Sequence, residues 1–278
     1  MQGRGTDSKP VPLLRLQSCL GESMRAIFLS DAHLIDRQEP GYEAVMRFLA
    51  GLEGPRKKKA PVEVSGGGGR CDALFLAGDF FDFWFGREGR IFPDFLPVIQ
   101  RLTDLRDQGV RVVLCEGNHD FFLGDYFIGV LGMEVYPDWV DLDLDGKRVL
   151  LSHGDLIDPS NTGAALVRKI LRSGFLYRLQ RILPAPLVWR AARLTSLTSR
   201  RFSAETEGRL VDGMRRFALE KFREGYDAVL CGHSHRPVIE HYETNGCTRT
   251  FMTLGDWIHH CSFGVFEDGV FSLSFFQP

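Results

Sequence analysis

The sequence predicts a layered α/β fold with a second sheet. Two observations carry that expectation: apolar runs alternate with amphipathic helical stretches over the first half of the chain, and period-two runs follow one another near its end. Composition sets the class. With 278 residues, 34 Lys+Arg against 36 Asp+Glu and 44% hydrophobic residues, the chain is neither disordered, collagenous nor supercharged. No stretch reaches the roughly 18 to 20 apolar residues a membrane-spanning helix needs, and the N-terminus lacks an apolar core with a small-residue cleavage site. The expected location is therefore cytoplasmic. The six cysteines (Cys19, Cys71, Cys115, Cys231, Cys247 and Cys261) form no C-x-x-C pair and read as free thiols.

Residues 1–23 are polar and patternless and read as a tail without fixed structure, with Met24, just before the first apolar run, as a possible natural start. One domain then covers 24–278. Its expected order is strand 26–29, helix near 42–52, strand 73–77, helix near 93–108, strand 111–115 and strand 147–152. Strands that alternate with helices imply a largely parallel sheet. Helices then run to about residue 225, a strand follows at 228–231, and the runs at 248–254, 262–266 and 270–276 predict an antiparallel addition.

Two segments break this rhythm. Residues 53–70 hold Arg56, Lys57, Lys58 and Lys59 ahead of four consecutive glycines, Gly66 to Gly69, and read as a flexible solvated loop. Residues 159–204 contain no acidic residue and nine basic ones, while Leu166, Ile170, Leu176, Leu179 and Leu183 recur at helical spacing between them. The pattern predicts a basic amphipathic helical insert. It fits equally a pair of docked helices with solvated arginines and a surface for membrane or anionic ligand.

Chemistry concentrates in five polar clusters, each directly after an apolar run: Asp31-Ala32-His33, Gly78-Asp79-Phe80-Phe81-Asp82, Gly117-Asn118-His119-Asp120, His153-Gly154-Asp155 and Gly232-His233-Ser234-His235. Any one of them has an ordinary explanation as a turn or a structural histidine. Together they use five of the eight histidines and all fall at strand ends, where open α/β sheets bind ligands, so clusters 200 residues apart can converge. Leu254-Gly255-Asp256-Trp257 follows a strand and so can lie near the site, although Asp256 reads as a turn cap and Trp257 as packing; His241, His259 and His260 read as structural.

These blocks, D-x-H, G-D-x-x-D, G-N-H-D, H-G and G-H-x-H, resemble the calcineurin-like metallophosphoesterase superfamily over residues 26–260. The resemblance implies an α/β/β/α sandwich with a helical cap and a hydrolase using two divalent metals. It further implies that Asp31, His33 and His235 bind one metal, that Asn118, His153 and His233 bind the other, and that Asp79 bridges them. Mixed nitrogen and oxygen ligands without thiolate suit Mn, Fe or Zn, and the resemblance favours Mn(II). Such a centre supplies its own activated water, so no protein nucleophile is required. His119, next to a ligand, is expected to face the phosphate as a catalytic group, with Asp120 orienting it.

Within the superfamily the chain resembles the UDP-2,3-diacylglucosamine pyrophosphohydrolases of the lipid A pathway. The aromatic stretch 78–84, the continuation Asp120-Phe121-Phe122-Leu123-Gly124 and the insert after His153-Gly154-Asp155 carry that likeness. Many of those enzymes read G-N-R-D in the third block, where this chain keeps His119. The implied substrate is an acylated UDP-sugar, with the insert sheltering acyl chains and meeting the cytoplasmic leaflet of the inner membrane. The alternative is a sister branch acting on a soluble phosphodiester or nucleotide pyrophosphate. A non-catalytic scaffold is disfavoured because all seven candidate ligands are present, and a nucleic-acid partner because the balance is acidic and no nucleic-acid module is seen.

Overall fold

A computed structural model of the chain describes residues 13–17, 24–54, 69–85, 90–157, 170, 172–190, 204–244 and 246–278. Two six-stranded sheets form its centre. The first runs, edge to edge, β14 (Val270–Phe275), β13 (Ser262–Glu267), β2 (Ala26–Leu29), β5 (Ala73–Ala77), β6 (Arg111–Cys115) and β7 (Glu134–Tyr136). Its strands β2, β5, β6 and β7 are mutually parallel, and the β13–β14 hairpin is added antiparallel at β2. The second runs β1 (Leu14–Leu16), β8 (Trp139–Leu144), β9 (Lys147–Ser152), β10 (Ala228–Cys231), β12 (Cys247–Leu254) and β11 (Pro237–Thr244).

Strands such as Ala73-Leu74-Phe75-Leu76-Ala77 are buried at every position because both faces of their sheet are covered. Alternate residues serve different cores. Phe28, Phe75, Val113, Val149, Leu230 and Met252 point between the sheets. Ile27, Leu74, Leu76 and Val112 point outward onto helices α1 (Pro40–Gly51) and α2 (Leu96–Asp107). The outer face of the second sheet packs Leu150, Val229 and Phe251 against Val211, Met214, Ala218 and Phe222, from the helix at Ala204–Arg223. The layers are therefore helix, sheet, sheet, helix. In α1 the buried Tyr42, Val45, Phe48 and Leu49 recur at three- and four-residue spacing, and Pro40 at its start needs no hydrogen-bonded N–H.

The expected elements lie within a few residues of the observed ones, and several strands were not anticipated. Residues 14–16 fall in the stretch read as a patternless tail, yet Leu14 and Leu16 are buried on either side of an exposed Arg15 and pair in parallel with β8. Three residues are too few for the alternation to stand out in the sequence. The loop expected at 53–70 has paired ends, with β3 (Leu52–Glu53) parallel to β4 (Gly69–Arg70); residues 55–68, including the lysine run and the first three glycines of the glycine run, lie outside the described residues. Strands β7, β8 and β11 were also missed, although Val140, Leu142 and Leu144 alternate with Asp141 and Asp143. The C-terminal addition is not purely antiparallel: β12 pairs antiparallel with β11 and parallel with β10. Among the described residues no helix is long and apolar enough to cross a membrane.

Of the insert at 159–204, residues 159–169, 171 and 191–203 lie outside the described residues. What is described is helical. Ser173 caps the helix Gly174–Ile182, its hydroxyl accepting from the Leu176 N–H, and a further helical stretch covers 185–190.

The Phe28 and Phe75 rings stack across β2 and β5 at 4.8 Å and 9° in the core between the sheets. Phe75→Ala is expected to cost about 3–5 kcal/mol. Chemical denaturation followed by circular dichroism measures it, and an unchanged midpoint would contradict this packing.

Candidate metal centre

Parallel strands start and stop together, so β2, β5 and β6 in one sheet and β9 and β10 in the other deliver their C-terminal residues to one edge of the sandwich. The loops that follow are tied to one another by main-chain bonds. The Asp31, His33 and Leu34 amides donate to the carbonyls of Gly78, Asp79 and Phe80. The His233 N–H donates to Asp31 Oδ2 at 2.8 Å, which brings the last cluster onto the first across 202 residues. Two glycines are there for space. A Cβ on Gly117 would sit 2.0 Å from Asp79 Oδ1, and one on Gly232 would sit 1.9 Å from Ser30 Oγ.

The structure brings all seven expected ligand residues to this edge. Side-chain donor atoms fall in three overlapping groups, each within 4.8 Å: Asp31, His33 and His235; His33, Asp79 and His119; Asp79, His153 and His233. Asn118 Oδ1 lies 3.0 Å from His153 Nε2, so the amide oxygen and the imidazole point into the same space. Asp79 Oδ2 is central, 3.3 Å from His153 Nε2, 3.9 Å from His33 Nε2 and 4.0 Å from His119 Nε2. Five of the seven residues, Asp31, His33, Asp79, His233 and His235, have φ between 44° and 65°. That conformation is unfavourable for residues with a Cβ and here recurs at every strand end but two.

Imidazole tautomers are set from behind. His33 Nδ1 lies 3.2 Å from Asp82 Oδ1 and His153 Nδ1 lies 3.1 Å from the Ala77 carbonyl, which leaves both Nε2 atoms directed into the centre. Asp82 is thus a functional residue that sequence reasoning quoted within a motif without giving it a role. Asp256 caps its turn as expected, Oδ1 accepting the His259 and His260 amides at 2.9 and 3.0 Å, and it does more than that: it is buried with His235 Nδ1 3.7 Å away and the ring Nδ1 atoms of His259 and His260 both at 3.2 Å.

Asp120 departs from its expected role. Instead of orienting the His119 ring, its carboxylate is fully buried and accepts four main-chain N–H groups, from Asp79, Phe80, Phe81 and Gly117, at 2.8 to 3.1 Å. Every lone-pair direction is occupied by an amide, so Asp120 is a clamp between the β5 and β6 loops. His119 is oriented by the Asp82 carbonyl, 3.1 Å from Nδ1, and its side chain is 14% exposed, with Asn118 and His233 also partly open.

The charge balance calls for cations. Burial alone would raise the Asp79 carboxyl, but the surrounding His153, His119 and His33 hold it well below its usual range. Burial likewise works against charge on His153, and Asp79 overrides it, raising that imidazole to about 10. Burial, reinforced by His153, pushes His233 down to about 4. One oxygen is left over: Asp31 Oδ1 is buried and has no hydrogen-bond donor. An unsatisfied carboxylate oxygen among imidazole nitrogens and an amide oxygen, without thiolates, is the donor set of a hard or borderline divalent cation, and the clusters fit a dinuclear metal site.

Because Asp79 holds His153 protonated at neutral pH and a metal requires the neutral ring, loading is expected to release protons and to weaken as the pH falls. Calorimetric titration of metal-free protein in buffers of different ionisation enthalpy measures this. Identical heats in all buffers would contradict the charge balance described.

The calcineurin-like phosphoesterase family model matches residues 24–237. Curated relatives include the UDP-2,3-diacylglucosamine hydrolase of Neisseria meningitidis serogroup B, 32% identical over 235 residues that make up 84% of this chain and 89% of that one. Enzymes of the same name from Aeromonas salmonicida and Aeromonas hydrophila are 30% and 31% identical, each over 88% of this chain and over 91% and 96% of their own. Among solved structures, an archaeal phosphodiesterase is similar at 13% identity over 91% of this chain and 99% of that chain, with a TM-score of 0.44. Matched through all five polar clusters, the chain belongs to the calcineurin-like phosphoesterases and is a metal-dependent phosphoester hydrolase.

Proposed function

We propose that the chain hydrolyses the pyrophosphate of UDP-2,3-diacylglucosamine to UMP and 2,3-diacylglucosamine 1-phosphate, a step of lipid A biosynthesis. The observation that carries this beyond a generic phosphoesterase is the apolar face of the insert. On the helix Gly174–Ile182, here α4 (with α3 at Gly124–Phe127), Phe175 and Ile182 are 73% and 77% exposed, and Leu179 lies on the same side. The helix is moored beside the centre. Tyr177 donates to Asp125 and packs on Phe122 at 4.8 Å, and beyond α4 Trp189 packs edge-on against Phe92 at 5.5 Å. An apolar face that no described residue covers, on a helix moored to the loop after β6, suits a substrate whose scissile phosphate is followed by acyl chains. Arg178 on α4 and Arg190 on the helical stretch 185–190 are exposed and add positive charge to the insert, which supports peripheral contact with an anionic leaflet from the cytoplasmic side. The three curated relatives bear the name of this reaction.

In this reading Asp31, His33 and His235 hold one divalent cation, Asn118, His153 and His233 hold a second, and Asp79 is shared. When bound, two such cations, Mn(II) on family likeness, supply an activated water and neutralise phosphoryl charge. The chain's own residues do the rest. Asp82 and the Ala77 carbonyl keep Nε2 of His33 and His153 turned inward. His119, with Nδ1 committed to the Asp82 carbonyl, presents Nε2 at the exposed rim, where as an imidazolium it donates to a phosphoryl or leaving oxygen.

The test is UMP release by metal-loaded protein on UDP-2,3-diacylglucosamine beside deacylated UDP-glucosamine and an aryl phosphodiester. Metal-dependent release from the diacylated compound alone is expected, and Phe175→Asp with Ile182→Asp should lower kcat/KM for it by about 10- to 100-fold, the worth of burying one large side chain. Turnover of the simple ester without the acylated one would replace this substrate by a soluble phosphodiester. For His119→Ala the expected result is a kcat lowered by about 10²- to 10⁴-fold with both metals still measured by elemental analysis. Loss of metal instead would make His119 a ligand.

A further inference from the structure

The insert also reaches the metal centre from behind, through one guanidinium. Arg172 lies just ahead of α4 and projects under the loop that joins β6 to α3. Its Nη1 donates to the Pro137 carbonyl at 3.0 Å and lies 3.3 Å from Glu116 Oε2, while Nη2 donates to the Gly117 carbonyl at 3.0 Å. The guanidinium carbon stands 5.9 Å from the Phe121 ring centre, over its face. Glu116 is only 7% exposed, and its other oxygen accepts from the Leu123 N–H at 2.9 Å. The pair therefore holds residues 117–123 at both ends, at the Gly117 carbonyl by Arg172 itself and at the Leu123 amide through Glu116. Between those points stand Asn118, His119 and Asp120.

A carboxylate this buried is costly without a charged partner, so the loop's own anchor depends on a residue 56 positions further along the chain. Lysine would not replace it. Two different nitrogens of one planar fork reach two carbonyls and a carboxylate, which a single ammonium cannot span.

We propose that Arg172 is a positioning residue for the hydrolytic centre: through it the insert holds Asn118 and His119 in their working geometry, and so governs turnover of any phosphoester, acylated or not. The inference rests on the chain being a metal-dependent phosphoester hydrolase and is independent of which substrate it takes. It separates two functions of one insert, an outer apolar face that meets the substrate's chains and an inner guanidinium that never touches substrate.

The experiment compares wild type with Arg172→Ala, Arg172→Lys and Glu116→Gln in full-length protein. Three readouts are taken: kcat and KM on whichever phosphoester the wild type turns over fastest, metal affinity by calorimetry with Mn(II), and amide hydrogen exchange over residues 117–123 in metal-free protein. For Arg172→Ala the expected result is a fall in kcat and in the weaker metal affinity of about 10- to 100-fold, with KM little changed and exchange faster at Leu123. Arg172→Lys should fall between that variant and wild type. Combining Arg172→Ala with Glu116→Gln should cost little more than the first alone, because both act through one contact. Wild-type metal affinity and exchange in Arg172→Ala would overturn the inference, as would a rise in KM with kcat intact, which would make Arg172 a substrate contact. If the alanine variant does not fold, the lysine variant decides, and wild-type values of all three readouts there would overturn it. An inactive wild type would count against the hydrolase assignment, whereas the calorimetry and exchange readouts judge Arg172 by themselves.

Discussion

One buried carboxylate holds the centre together. Asp120 receives the amides of Asp79, Phe80 and Phe81 from the loop after β5 and that of Gly117 from the loop after β6, so the two loops that carry Asp79 and Asn118 cannot separate. A hydrogen bond to a charged group contributes about 1.5–3 kcal/mol, and four of them work against the cost of burying this carboxyl without cancelling it. Burial and the Asp79 charge push the Asp120 carboxyl upward, and the four amides act against that rise. The position of every other group follows from this clamp. With Asp79 fixed, its Oδ1 accepts the His119 amide at 2.8 Å and its Oδ2 faces His33, His119 and His153.

The strain recorded in the loops has the same origin. Five candidate ligands sit in the left-handed backbone region, where a residue with a Cβ loses of order 1–3 kcal/mol. Such conformations persist only when the surroundings over-determine them. Here Asp31, His33 and Asp79 are joined by main-chain bonds between loops, the His233 amide is held by Asp31 Oδ2, and the loops are backed by sheets packed on both faces. Stability collected in the layered core is thereby used to hold a donor set that would not assemble locally.

The insert adds a different kind of constraint. Its outer side leaves Phe175 and Ile182 in solvent, while its inner side contributes Arg172 to Glu116 and Gly117 and Tyr177 to Asp125. A segment whose sequence reads as an addition to the fold is joined to the loop that bears the reacting groups. In the proposed reading, substrate selection and support of the chemistry share this single element, and a change in how the insert lies would be felt at Asn118 and His119.

Much of this was legible in the chain. Apolar runs long enough to be buried on both faces marked β2, β5, β6, β9 and β10, and the polar residues placed directly after them marked the candidate ligands, because a parallel sheet turns sequence position at a strand end into a common location. Short pairing partners such as β1 and β7 were hidden, since three residues carry too little periodicity and owe their conformation to the neighbouring strand. Roles that depend on direction were hidden too. Sequence placed Asp120 beside His119, but only the tertiary structure decided that its carboxylate turns to four amides while Asp82, 37 residues earlier, takes the His119 ring. Adjacency in the chain fixes where an α-carbon lies, and the loop backbone decides which way the side chain points. For the same reason the residue types and their order along the chain marked the polar clusters, and the resemblance they carry implied a phosphoesterase donor set, whereas the buried Asp256 behind His235 and the reach of Arg172 under the metal loop exist only once distant strands have packed.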